Sequence, residues 1–448
     1  MMTTPIIDFL EKYSLSGTMR LHMPGHKGKC YLGPEKFDIT EIKGADSLYD
    51  AEGIIDLSEK NASALFGSHT LYSAEGSSLC IRAMLYLASL YAKEKGKGKT
   101  KILAGRNAHK TFISGAALLD IDVDWVFPKS SESYLSCSIC PEELDSLLSE
   151  DNGFCAVYVT SPDYLGNICD IKGISKICKK HDVLLLVDNA HGAYLKFLPE
   201  SLHPTDLGAD ICCDSAHKTL PVLTGGAYLH ISGDAPDFLL RKAKYALSLF
   251  GSTSPSYLIM ASLDLTNEYI FDGYRKKLSD FCQKIESFKE NLEKHGFSLP
   301  GDEVLKICIE TKKYGYDGEE FAEFLRKSNI ECEFSDKDFA VFMLSCEMTD
   351  SELEKLENVL LSIPKKEEIK EKFPIISKPE RVMTPKDASL SKSQRLEADK
   401  CEGKVLASLC VSCPPAVSYI VCGERIDKCT IDAAKYYNTK FFEVVSYE

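Results

Sequence analysis

The stretch "DSAHKTLPVLTGG", residues 214–226, sets Lys218 just past the apolar run "ADICC". A lysine at the end of a buried strand, in a turn rich in hydroxyls and glycine, is placed to act as an amine nucleophile. Other polar residues follow other apolar runs in the same way. They are Asn107 and His109 in "GRNAHK", Ser161 in "VTSP", Asp188 and His191 in "VDNAHG", and Ser215 and His217 beside Lys218. The group "EGSS" at 75–78 opens a helical stretch with Gly76, Ser77 and Ser78. Singly, each has an ordinary reading. A strand-end aspartate is often a turn residue or cap, and "GSS" is a common helix start. A strand-end histidine is usually a satisfied polar group, and Lys218 alone could be a surface lysine.

Together they suit one ligand, pyridoxal 5′-phosphate. Its aldehyde needs a primary amine for a Schiff base, which Lys218 offers. Its pyridine nitrogen must be protonated to draw electrons, and a carboxylate such as Asp188 favours the charged form. Its phosphate needs backbone N–H groups at a helix start together with hydroxyls. Gly76, Ser77, Ser78 and Ser215 supply these. A flat side chain should cover the ring, and His109 or His191 fits that place.

The elements that must position these residues are legible as a pattern. "TKILA" (100–104), "DVDWVF" (122–127), "FCAVYVTS" (154–161), "DVLLLVD" (182–188), "ADICCDS" (209–215) and "GAYLHIS" (226–232) are short apolar runs. Amphipathic segments such as "SSLCIRAMLYLASLYAKEKG" (77–96) alternate with them. Continuous apolar strands alternating with helices predict a mainly parallel α/β sheet covered on both faces. Ligands sit beyond the carboxyl ends of such strands. After residue 235, "SYLIMASLDLTNEYIFDGYRKKLSDFCQKIESFKENLEKHG" predicts one long helix. "VLKICIETK", "ECEFSD" and "FAVFMLSCE" predict strands around the helix "GEEFAEFLRKS". The expected organisation is an N-terminal arm (1–45), a large cofactor-binding domain (46–245), a smaller α+β domain (246–362), a charged, proline-bearing linker (363–395) and a C-terminal domain (396–448).

With 448 residues, 44% of them hydrophobic, the chain can bury a large core. No apolar run approaches membrane-spanning length, and "MMTTPIIDFLEKYSLSG" is not a leader, so a soluble cytoplasmic protein is expected. The net charge of −14 argues against a nucleic-acid surface and mildly favours small cationic ligands. Eighteen scattered cysteines fit free thiols in a reducing compartment. The pairs Cys137/Cys140 and Cys410/Cys413 would have to meet across most of the chain to form a zinc site, and no metal is expected.

At this point the residues carry a resemblance. "LHMPGHKGK", "GADSLYDAEGII", "LFGSHTLYSAEGSS", "GRNAHKTF", "VDNAHGAY", "GADICCDSAHKTLPVLTGGAYLHI" and "CGERI" resemble the Orn/Lys/Arg decarboxylase family, in its short form without an N-terminal receiver-like domain. The resemblance implies the aspartate-aminotransferase-like fold, fold type I of the pyridoxal-phosphate enzymes, with a seven-stranded-type sheet. It also implies removal of the α-carboxyl of arginine, lysine or ornithine to give agmatine, cadaverine or putrescine. Lys218 would be the Schiff-base lysine, and Asp188 the partner of the pyridine nitrogen. His109 would stack on the ring. Ser77, Ser78, Ser215 and His217 would surround the phosphate, and His191 would line the pocket. Lys218 or His217 would return a proton to Cα. A homodimer or larger assembly with shared active sites is implied, the arm helping to close them. Glu424, in the "GER" turn, is a candidate for the substrate's basic end.

The chain departs from the family pattern in several places, among them the C-terminal "SCPPAVSYIVCGER", which lacks the glycine that commonly follows the double proline and has Cys422 before Gly423. Asn189 and Tyr194 stand where an acid and a histidine are usual, Glu75 where asparagine is common, and Asp163 where threonine is usual. These changes bear on specificity. Another reaction on the same cofactor (an aminotransferase or a Cβ-lyase) and a non-catalytic relative stay open. So does the product's role, in polyamine supply or acid resistance.

Overall fold

The computed structural model describes residues 2–151, 153–409, 411 and 416–446. Two compact units are formed, Met1–Gly96 with Cys178–Ser279 and Lys97–Ile177 with Asp280–Glu448. Seven strands carry the sites: β1 (His69–Ser73), β2 (Lys101–Gly105), β3 (Asp122–Val126), β4 (Ala156–Thr160), β5 (Leu184–Asp188), β6 (Ile211–Asp214) and β7 (Ala227–Ile231). They form one seven-stranded sheet in the order β1-β7-β6-β5-β4-β2-β3. The expected mainly parallel α/β architecture is present. In the first unit β5 and β6 are parallel, while β7 runs antiparallel to both β6 and β1. In the second unit β2 pairs in parallel with β3 and with β4.

The apolar runs became strands because both sheet faces are covered: every residue of β5, β6 and β7 is buried. In the first unit, the Phe66 ring packs at 5.1 Å from both Phe197 and Tyr228. β1 was not legible. "HTLYS" has an exposed histidine and a half-buried leucine and joins the sheet only through β7.

The single long helix expected over 256–296 is corrected to two, Tyr257–Tyr269 and Arg275–His295. Between them Asp272 and Gly273 leave helical geometry, Gly273 at φ 92°. Glycine alone takes that conformation without strain, so it breaks a pattern that otherwise reads as continuous. In the second unit, Lys306–Glu310, Phe334–Ser335 and Phe339–Met343 form a three-stranded antiparallel sheet. Ser393–Glu397 pairs with Phe441–Val445 in a two-stranded one.

Candidate active site

In the first unit the site is built on the ends of β5 and β6. β6 closes on the fully buried Asp214, and Ser215 leads into the short helix Ala216–Thr219, which carries His217 and Lys218. Lys218 is half-buried and its Nζ lies 2.7 Å from Nε2 of the buried His191. Asp188 ends β5 and is 3% exposed. Its Oδ1 accepts from the Ala190 N–H at 3.2 Å and faces the Cys213 thiol at 3.7 Å. Nδ1 of His217 meets the Gly226 carbonyl at 3.0 Å.

The helix Gly76–Glu94 begins beside these strand ends. The Ser215 hydroxyl donates to the Ser77 hydroxyl at 2.8 Å. Ser78 follows in the same first turn. Gly76 has φ 72°, and a Cβ there would meet nothing within 4 Å. Open space over a helix start, ringed by hydroxyls, suits a phosphate held by backbone N–H groups. An amine, a buried carboxylate and this cradle lie within one unit, so the donor set fits pyridoxal phosphate.

Sequence reasoning missed the network behind the site. Oδ2 of Asp214 accepts from Nε2 of His203 at 3.2 Å and of His230 at 3.1 Å, and Oδ1 accepts from Nδ2 of Asn189 at 2.7 Å. The two imidazoles beside it hold the Asp214 carboxyl far below its ordinary range, against burial. The donors are close enough to hold an ion. Yet each imidazole is engaged at both nitrogens, since Nδ1 of His203 meets Thr205 at 2.8 Å and Nδ1 of His230 meets Thr70 at 2.9 Å. The arrangement is complete as a buried hydrogen-bonded group. Asn189 thus has a partner in Asp214, and Tyr194 is fully buried. Glu75 accepts the backbone N–H of Ser252 at 2.5 Å.

In the second unit, His109 caps the helix Lys110–Leu119. Its Nδ1 accepts the Thr111 N–H at 3.2 Å. The Ser161 hydroxyl accepts from Cys169 N–H at 3.0 Å. Asp163 organises the turn after β4, receiving the N–H groups of Leu165 and Asn167, both at 2.9 Å. Glu424, the candidate for a substrate's basic end, is buried. Both its oxygens are taken by Arg106, at 2.8 and 2.6 Å, with the two side chains 2% and 6% exposed. It closes an internal ion pair with Arg106. Arg106 is sandwiched near Trp125 and Phe127, its guanidinium carbon 5.1 and 5.2 Å from their ring centres. Every described cysteine is a free thiol, Cys137 and Cys140 among them. Cys410, Cys413 and the double proline 414–415 lie outside the described residues.

Strand-end polar residues on a mainly parallel sheet, with a lysine on the turn, define the fold-type I class of pyridoxal-phosphate enzymes, as far as architecture goes. Solved structures agree. The lysine decarboxylase of Francisella novicida superposes with a TM-score of 0.79 at 18% identity, over 99% of this chain and 81% of that one. The alanine–glyoxylate aminotransferase of Nostoc sp. reaches 0.55 at 18%, over 68% and 85%. A family model described as Orn/Lys/Arg decarboxylase, major domain, matches residues 4–311. The chain belongs to that family of carboxy-lyases. It is 26% identical to the arginine decarboxylase of Bacillus subtilis over 94% of its own length and 91% of that protein's.

Proposed function

We propose that the protein uses pyridoxal phosphate to remove the α-carboxyl of a basic amino acid, releasing CO2 and agmatine, cadaverine or putrescine. The observation that carries this is the grouping of Lys218, Asp188 and the Gly76–Ser77–Ser215 cradle at the strand ends of one unit. Lys218 would hold the aldehyde as a Schiff base, and Asp188 the ring nitrogen. Ser77, Ser78, Ser215 and His217 would hold the phosphate, and His191 would line the pocket. His109 is the proposed ring-stacking residue. When bound, the cofactor supplies an electron sink for the pair left as the carboxylate departs.

This chain's own residues do the rest. Buried Asp188 would favour the protonated ring nitrogen, and the hydroxyls would hold the phosphate, so that the reacting bond could be kept in one orientation. Arginine is the substrate to try first, since the Bacillus subtilis relative carries that name, while the Francisella novicida structure is named for lysine.

The protein is further proposed to work as a cytoplasmic homodimer with shared sites. Six large apolar side chains of the N-terminal segment, Leu15, Met19, Leu21, Met23, Tyr31 and Leu32, are 65–90% exposed in the single chain. A second copy covering them would remove this exposed apolar surface from water. No described helix is long and apolar enough to cross a membrane.

The test is a visible spectrum with pyridoxal phosphate and CO2 release from arginine, lysine and ornithine in turn. An absorption band lost in Lys218→Ala, with release from one substrate, is the expected result. A band without release sinks the decarboxylase reading and sends the assay to keto acids, the product of an aminotransferase.

A further inference from the structure

Asn189 follows Asp188 at the end of β5 and is tied down by three hydrogen bonds. Its side-chain nitrogen donates to Oδ1 of Asp214 at 2.7 Å. Its backbone N–H donates to the Cys213 carbonyl at 3.0 Å, and its own carbonyl accepts the Gly192 N–H at 2.8 Å. Asn189 and Asp214 are both fully buried. Two of these bonds join the end of β5, which carries Asp188, to the end of β6, which leads into the Lys218 helix. The third closes the turn that carries His191.

The amide also shapes that turn. A Cβ at Gly192 would come within 2.1 Å of Oδ1 of Asn189, so residues 189–192 close over this side chain at a distance that only glycine admits. The bond to Asp214 has a fixed sense. His203 and His230, at 3.2 and 3.1 Å, keep the Asp214 carboxyl ionised against the pull of burial. An ionised carboxylate only accepts, so it demands a donor at position 189. An acid there would set two carboxylates against each other in a dry interior.

We propose that Asn189 and Asp214 are a positioning pair, whose one charged hydrogen bond sets the turn that presents Asp188 and His191 to the cofactor ring. This rests on the cofactor reading above. The pair is fully buried and acts through its neighbours. Asp188 stands on one side of Asn189, its Oδ1 held by the Ala190 N–H at 3.2 Å. His191 stands on the other, 2.7 Å from Nζ of Lys218. A shift of the amide therefore moves the ring-nitrogen partner and a neighbour of the lysine together.

The test sets Asn189→Asp, which changes one group and almost no volume, beside the exchange Asn189→Asp with Asp214→Asn, in which donor and acceptor trade places. Fluorescence titration with pyridoxal phosphate gives the affinity. Visible circular dichroism at saturation reports how the bound ring is seated, and a loss of stability alone leaves it unchanged. Asn189→Asp should bind at least about tenfold more weakly, as losing a hydrogen bond to a charged group requires, with less than about half the parental ellipticity per bound cofactor. The exchange should return the affinity to within about threefold of the parent and restore the ellipticity. Parental affinity and ellipticity in Asn189→Asp overturn the proposal, as does an exchange no better than the single change. Should Asn189→Asp not fold, Gly192→Ala displaces the same amide without adding a charge and should show the same losses, and parental values there overturn the proposal equally. Failure of the cofactor reading would show in the parent itself, as no visible ellipticity with pyridoxal phosphate, since the free cofactor is achiral and has none.

Discussion

Arg106 and Glu424 meet as a two-pronged ion pair inside the second unit, each guanidinium nitrogen on its own carboxylate oxygen, at 2.8 and 2.6 Å. Glu424 also accepts the Val421 N–H at 2.8 Å, so the pair ties the turn at 421–424 to the end of β2. Removing one partner strands a buried charge. Glu424→Ala should cost about 3 kcal/mol or more, and Arg106→Met combined with Glu424→Leu markedly less than the single change. Thermal unfolding of the three proteins checks this. Equal losses would mean that the charges do not depend on one another.

Asp264 is expected to give the fold a pH dependence. Its carboxylate is fully buried and receives the N–H groups of Ile6 at 2.9 Å and Ile7 at 3.1 Å, at the start of the N-terminal helix Pro5–Leu15. Burial pushes its pKa up to about 6, against 3.8 for an ordinary aspartate. A raised carboxyl pKa means that the folded state prefers the proton. The stabilisation is full below pH ~4 and is lost as pH rises through about 6, a difference of about 3 kcal/mol. Asp264→Asn should flatten the melting temperature between pH 4 and 7. Asp264→Ala should lower it throughout, since the two N–H groups lose their acceptor. A parent that is more stable at pH 7 than at pH 4, with Asp264→Asn removing the difference, would reverse the assignment.

Asp214 carries the opposite sign. Its carboxyl is held below the ordinary range by His203 and His230, so its contribution is present above pH ~4 and fades as the pH falls. Asp214→Asn leaves the two imidazoles competing for one carbonyl oxygen, and a loss of about 2–4 kcal/mol is expected near neutral pH. Dialysis against a chelator should leave the melting point unchanged, because each ring nitrogen is already engaged. A chelator-induced drop would show that these residues hold an ion.

The cradle at Gly76 offers a fourth test. Gly76→Ala forces a side chain onto a left-handed backbone and puts a methyl into the open space over the helix start. Affinity for pyridoxal phosphate should fall at least tenfold by fluorescence titration. Ser215→Ala, which deletes only the hydroxyl bonded to Ser77, should weaken it less.

The sequence was most legible where burial was most one-sided. β4, β5, β6 and β7 are nearly continuous apolar runs, and the candidate site residues follow them. β1 was illegible because an edge strand can carry polar residues such as His69 and Thr70. The break at Gly273 hid inside an amphipathic pattern that continues on both sides. The Asp214 network drew on residues that read singly as strand filler, and the Arg106–Glu424 pair joins residues 318 positions apart. Pairings at that range leave no local trace in composition or periodicity.

The first unit is discontinuous in the chain, and this sets an order of assembly. β1 leaves the ribosome early, yet its partner in the sheet is β7, on the far side of the inserted Lys97–Ile177. Until β7 emerges, β1 offers an unpaired edge to any other strand in reach. A nascent chain halted anywhere before residue 227 therefore cannot close that edge, whatever its later fate. For this protein, the exposure of a half-made product is timed by translation through the insert.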